Sequence, residues 1–463
     1  MSNEGGRRMN NTNDFSKGSM LKNILVMAIP LTVAQLVQLL YNIVDRMFIG
    51  LLSDNSLALT GMGICFPIIS IISAFNMLFS SGGAPLCSMA RGRSDIKEAK
   101  KLMGNCFSLL IITGIVMMMV CYIFMKPILF LFGASDEIYP YASEYLTIYL
   151  LGTLFVMVGA GMNSFINSQG FAKIGMATTL MGAICNIILD LIFVVFLKMG
   201  VRGAAIATVI SQGVSAIWVF RFLTGKKALF TLDKESMKLD NSKRVLKMTG
   251  LGVSGFVMAM TNSLTQIICN ATLQSFGGDL YVGIMTVLNS VREIFNIAIQ
   301  GITTGAQPVI SYNYGAKLYK RVKQGIMVVF VIALSYTVSA WFIVDHFPEF
   351  FLRLFTKEEQ LVQTGIPCLQ LFFGGFYMMS FQFIGQSTFV ATGYSKHAVF
   401  FSLLRKAFIV VPLTLILPHF MGVNGVFMAE PISNFIGGSA CFITMMLTVW
   451  RNLSRSLCND DNS

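Results

Sequence analysis

Charge is scarce in this chain. Only 12% of its 463 residues are Asp, Glu, Lys or Arg, about half the share that a soluble domain carries. With 55% hydrophobic residues and a mean hydropathy of +0.69, the shortage excludes a soluble globular protein and leaves an integral membrane protein. Histidine is sparse too: His346, His397 and His419 are scattered and make no ligand cluster. The nine cysteines include no C-x-x-C and lie almost entirely in apolar runs, which argues against both a zinc site and a disulfide framework. No G-x-x-x-x-G-K-[ST] occurs, so an ATP-driven pump on this chain alone is excluded. The absence of D-D-x-x-D and H-x-x-x-x-D argues against a membrane-embedded prenyl or acyl transferase, and no enzyme is expected. The polar N-terminus with Arg7 and Arg8 lacks the apolar core and cleavage site of a signal peptide.

What the chain has instead is apolar runs of spanning length, about 20 residues each. Candidate spans cover roughly 23–49, 56–82, 101–125, 141–168, 174–197, 202–222, 248–276, 281–305, 324–345, 360–390, 396–418 and 423–450. The expected fold is all-α, twelve transmembrane helices in two pseudo-symmetric six-helix bundles. Two uncharged stretches, Asn55 to Ala90 and Gln360 to Ser395, exceed one straight span and are expected to include loop or interfacial portions. The net charge of +12 sits in alternate short loops instead of one patch, which is a topology signal and not a nucleic-acid footprint. Only Lys126, Lys198, Arg202, Arg353 and Lys357 fall in outer loops; Lys396, Arg405 and Lys406 count with the cytoplasmic charge. Both termini are therefore expected in the cytoplasm.

The most polar internal stretch, Thr224 to Lys247, divides the spans six and six and reads as a solvated linker. The expected organisation is a disordered tail over 1–20, an N-terminal lobe over 21–223, a cytoplasmic linker over 224–247, a C-terminal lobe over 248–452 and a tail over 453–463. The halves resemble each other: Met199–Ser211 (MGVRGAAIATVIS) matches Met421–Ser433 (MGVNGVFMAEPIS) at 7 of 13 positions, and at an offset of 223 Pro85, Gly92 and Gly170 meet Pro308, Gly315 and Gly393. Two halves that both begin inside with an even number of spans form a parallel repeat, an arrangement suited to alternating access.

An ionisable group inside an apolar run is a functional candidate by default. Asp190 lies in such a run, with Asn186 one turn before it in N-I-I-L-D, so both face the same way and can hold one cation or a proton. Asp45, with Tyr41 one turn before it, repeats the pattern, and Thr208 in the sixth span reaches a similar depth. The plainer alternatives are that Asp190 caps a kink or pairs with a basic partner, and that Asp45 and Arg46 form an interfacial pair. The second half does not repeat these acids: Gln266 stands opposite Asp45, the positions opposite Asn186 and Asp190 fall in the apolar run Phe408–Leu413, and only Glu430, opposite Thr208, restores a carboxyl. Arg292 and Glu293 lie near mid-membrane; Arg292 meets Glu430, or the pair lines a substrate cleft, for which Arg292, Glu293, Glu430 and Gln266 are the candidates. Thirty methionines and 39 phenylalanines suit an adaptable cavity, although most must be ordinary packing.

Twelve spans in two parallel halves, with VDRMFIG at Val44–Gly50, N-I-I-L-D in the fifth span and GVRGAAIAT at Gly200–Thr208, resemble the multidrug and toxic compound extrusion (MATE) family, nearest its DinF-like and MepA-like bacterial exporters. The resemblance implies export of organic cations and amphipathic drugs in exchange for H+ or Na+. It places the coupling site on Asp45, Tyr41, Asn163, Asn186, Asp190 and Thr208, with Na+ a candidate ligand of Asp45 and Asp190. It implies no other cofactor, a multi-pass monomer in the bacterial cytoplasmic membrane, and small-molecule partners without nucleic acid. The rival of related architecture is a lipid-linked sugar flippase; it calls for a cationic cleft, whereas Arg292 is the only clear intramembrane arginine besides Arg46.

Overall fold

A computed structural model describes residues 14–52 and 56–460, with the side chains at 42, 45–52, 56–59 and 459–460 outside the described residues. Among the described residues the regular structure is helical throughout, with no strand. The twelve spans are α1 (Met20–Leu52), α2 (Ser56–Gly92), α3 (Ile96–Ile123), α4 (Tyr139–Leu151 and Thr153–Ser168), α5 (Ala172–Phe196), α6 (Gly200–Thr224), α7 (242–277), α8 (279–315), α9 (Tyr319–His346), α10 (Glu359–Thr392), α11 (Ser395–Met421) and α12 (Asn424–Cys458). One span is bent, and two follow each other in one continuous helical run. The halves of α4 meet at 53° across Gly152, and α7 gives way to α8 at Gly278, whose φ of 72° only glycine adopts without strain.

Of the two long uncharged stretches, one is interrupted by a loop portion and the other is not. α10 breaks at Gly374–Gly375, where φ is 78°. By contrast α2 runs unbroken for 37 residues through Pro67 and Pro85, about 55 Å at 1.5 Å per residue, so the excess length simply extends beyond the bilayer as helix.

The repeat is written into the backbone. Positive φ recurs at Ser94 and Lys317 (61° and 58°), at Gly170 and Gly393 (92° and 80°), and at Gly200 and Gly422 (57° and 59°). Ser88 donates to the Ser168 carbonyl at 3.4 Å, and Ser311 donates to that of Ala391 at 2.9 Å. Equivalent turns and equivalent hydrogen bonds thus sit in both halves.

The chain divides into two compact units, but not at the linker. One holds Val33–Phe256; the other holds Phe15–Thr32 together with the chain from Val257 onward. The breaks fall inside α1 and α7, at equivalent points of the two halves. Small residues explain the exchange, because helices in lipid associate where side chains let backbones approach. Gly301 and Gly305 of α8 abut Thr32 and Ala28 of α1, and Gly82 of α2 abuts Met248 and Gly252 of α7. A methyl group at Gly305 meets the Ala28 backbone at 2.5 Å, and one at Gly82 meets the Met248 carbonyl at 2.0 Å.

The tail expected over 1–20 is ordered at its described end. Arg321 donates to the carbonyls of Phe15, Lys17 and Gly18 at 3.0–3.1 Å, Asn313 donates to Phe15 as well, and the Phe15 ring is fully buried. Nor is the segment after α6 a solvated linker. Ala228, Phe230 and Leu232 are buried, Gln169 accepts from the Leu229 N–H at 2.8 Å, and Asn105 of α3 donates to the carbonyls of Ser236 and Lys238 at 3.1 and 2.7 Å. Charge pairs close the edge: Arg244 with Glu98 at 2.9 Å and Lys101 with Asp240 at 2.8 Å. The hydrogen bond from Lys101, with Arg244 beside it, holds the Asp240 carboxyl below its ordinary range. That contribution is present above the ordinary carboxylate range and is lost as pH falls through the depressed value.

Gly104 is where the segment lies closest, since a Cβ there meets the Ser236 backbone at 2.3 Å. Gly104→Val is expected to lift the segment and loosen the docked backbone around the already exposed Lys226, Lys227, Lys234 and Lys238, raising the rate of tryptic cleavage there about tenfold or more, as local opening becomes easier. An unchanged cleavage rate contradicts the docking.

Candidate functional site

The polar centre of the N-terminal unit sits between α5 and α6, which pack along their length with Gly182 against Ser215. Asn186 and Asp190 are fully buried and Thr208 is 6% exposed. With its amide nitrogen turned toward the acid, Asn186 donates to Asp190 Oδ2 at 2.6 Å and accepts from the Thr208 N–H at 3.2 Å, the orientation that satisfies both ends. Directly after Asp190 the helix widens to i→i+5 turns over Leu191–Phe196, a local loosening common at functional positions. A buried carboxyl hydrogen-bonded to an amide in an apolar bundle can take a proton, or a small cation with the amide and hydroxyl oxygens as co-ligands.

The remaining predicted members are spread differently. Tyr41 is half-buried on α1, and Asp45, one turn further along that helix, has a side chain outside the described residues. Asn163 of α4 donates to the Gly175 carbonyl at 3.2 Å. Gly175 precedes Asn186 by eleven positions on α5, about 16 Å along the axis, so Asn163 stands apart from the other three.

The C-terminal unit carries a second centre that sequence reasoning largely missed. Glu430 of α12 is 6% exposed and takes three cations: Lys406 at 3.0 Å to both oxygens, Arg405 at 3.1 Å and Arg292 at 3.2 Å. Arg405 also donates to Asn434 Oδ1 at 2.8 Å, and the Arg292 guanidinium lies 5.1 Å from the centre of the Phe372 ring. All three cations and Glu430 line one cavity of about 260 Å³, along with the exposed Gln266 and Glu293.

Arg405 and Lys406 are therefore not cytoplasmic charge, and Arg292 is not the only intramembrane arginine besides Arg46. Arg405 lies ten residues past the start of α11, about 15 Å in. The fixed repeat offset pointed to Phe408–Leu413 instead, a few residues further along the same helix. The signal that could have found them was in plain view: two basic residues inside an apolar run, the same anomaly that marked Asp190. In both units the centre joins the fifth and sixth spans of the half, Asn186 to Thr208 in one and Lys406 to Glu430 in the other.

Two like halves of six spans, each with a buried polar centre, define a helical membrane transporter. A model of the MatE family matches residues 30–192 and again 254–416, the same segment in each half. The chain is 24% identical over 444 residues to the multidrug export protein MepA of Staphylococcus aureus (strain NCTC 8325 / PS 47), covering 94% of this chain and 95% of that relative. It superposes with a TM-score of 0.89, at 20% identity and over 96% of this chain and 99% of the other, on a structure described as the outward-facing conformation of a multidrug resistance MATE family transporter of the MOP superfamily. A second, a MOP superfamily transporter from Pyrococcus furiosus whose description reports reverse polarity of the binding pocket, matches at a TM-score of 0.88 and 22% identity over 96% of this chain and 99% of that one. The chain belongs to the MatE family of efflux transporters.

The three cations depend on one acid, and the dependence is unequal. Glu430→Gln leaves all three without their carboxylate and is expected to cost about 3–5 kcal/mol. Lys406→Met keeps Arg405 and Arg292 on Glu430 and is expected to cost less than half of that. Thermal unfolding of the two purified variants in detergent measures the difference; equal losses contradict a centre organised on Glu430.

Proposed function

We propose that this transporter is a cation-coupled multidrug antiporter. It exchanges H+ or Na+ for organic cations and amphipathic drugs, as a monomer in the bacterial cytoplasmic membrane with both termini inside. The observation that carries the reading is the fully buried Asp190, hydrogen-bonded through Asn186 between two helices of one unit. Asp45 and Tyr41 complete the coupling site from α1, and Thr208 contributes from α6. Ion binding at these carboxyls favours one state of the cycle and drug binding the other, each through its differential affinity for the two states. The name of the MepA relative, a multidrug export protein, supports the choice of cargo. The fluorescent-cation test is efflux from vesicles under an imposed pH gradient and, separately, an imposed Na+ gradient.

The C-terminal cluster of Arg292, Arg405 and Lys406 favours a second reading, a flippase for a lipid-linked sugar, because it supplies cations for a pyrophosphate. Drug resistance separates the two. Asp190→Asn is expected to abolish resistance and efflux in a drug-sensitive host while membrane levels and thermal stability stay near wild type. Full resistance in that variant removes the site, and a wild-type chain that confers no resistance removes the antiporter.

A further inference from the structure

The cavity of the C-terminal unit has a positive floor. Arg292, Arg405 and Lys406 converge on the single carboxylate of Glu430, leaving an excess of two positive charges at the buried end among the described residues. Glu293 lines the cavity but is exposed, so even with it the lining keeps a net positive charge. The Arg292 Nε is buried and makes no hydrogen bond among the described residues, and an ammonium such as that of Lys406 carries three donors for the one carboxylate it meets. Phe372, beneath the Arg292 guanidinium, and Phe383 add aromatic wall.

Uncompensated positive charge in a low-dielectric cavity repels cations and draws anions, and guanidinium groups match the planar geometry of a carboxylate. Glu430 already plays that part from within the protein. We infer that the cavity binds an amphipathic organic anion, a carboxylate on an aromatic body: the carboxylate joins or replaces Glu430 at Arg292 and Lys406, and the ring lies against Phe372 and Phe383. The transporter thereby gains a cargo class of opposite charge to the cations, held in the other unit from the coupling carboxyl. The assignment does not rest on ion coupling at Asp190, since binding needs no gradient.

Calorimetric titration of the purified protein in phosphatidylcholine nanodiscs tests it with three probes that share one aromatic body: 2-naphthoate, 2-naphthylmethanol and 2-naphthylmethylammonium. The wild type is expected to bind naphthoate about tenfold or more tightly than the neutral alcohol, the worth of one charge-assisted hydrogen bond, and the ammonium more weakly than either. Arg292→Gln, which spares the Glu430 contacts of Arg405 and Lys406, is expected to remove the preference for naphthoate and leave alcohol binding unchanged. Equal binding of naphthoate and alcohol by the wild type, or a preference that survives Arg292→Gln, overturns the proposal. Adding phosphatidylglycerol to the discs distinguishes the source of the anion: unchanged naphthoate binding supports a soluble cargo, and abolished binding reassigns the cavity to an anionic lipid headgroup. Cation efflux that persists while naphthoate fails to bind overturns this assignment alone.

Discussion

Lipid offers a buried charge no solvent, so every ionised group in a span must find its partners inside the protein. That constraint shapes both units. In the C-terminal unit it gathers Lys406, Arg405 and Arg292 on Glu430, and Asn434 takes up a further Arg405 donor. In the N-terminal unit it turns the Asn186 amide toward Asp190 and sets Thr208 against the other side of that amide. Each centre ties the fifth span of its half to the sixth. Polar chemistry and helix packing are therefore not separable here: the groups suited to transport are also those that fix the register of two helices.

The repeat supplies one scaffold, and each half has filled it with chemistry of a different sign. Backbone features repeat closely, from the positive φ of Gly200 and Gly422 to the glycine contacts that let α1 pack on α8 and α7 on α2. Side chains at the centres do not repeat. Thr208 and Glu430 occupy equivalent positions, but the first faces the Asn186 amide and the second faces three cations. A scaffold held by backbone and small residues leaves its polar positions free to diverge, so one fold can carry a buried carboxyl in one unit and a cationic cluster in the other.

Much of this was legible in the sequence, for physical reasons. A run of apolar residues long enough to span is a strong signal, and Asp190 stood out because nothing else in its run is charged. The repeat was visible at Met199–Ser211 and Met421–Ser433 because both copies need glycine at a left-handed turn. What stayed hidden depends on partners distant in the chain. Arg405 and Lys406 counted with the loop charge because the acid that pairs them, Glu430, lies 24–25 positions on in the next span. The segment from Ala228 to Asp240 looked solvated because its polar composition says nothing of carbonyls that Asn105 reaches across α3. The clamp of Arg321 on Phe15, Lys17 and Gly18 joins positions 303–306 apart. No local pattern announces it.

At the centre of the account is a thermodynamic link between cargo and ion through the buried Asp190. The most direct measurement is equilibrium binding of a fluorescent organic cation to the purified protein across pH and Na+ concentration, with no membrane and no gradient. The account predicts that affinity weakens as pH falls or as Na+ rises, by about 5- to 150-fold at saturation, and that in Asp190→Asn it no longer responds to either. Affinity that is indifferent to both ions in the wild type, or equally responsive in Asp190→Asn, contradicts it.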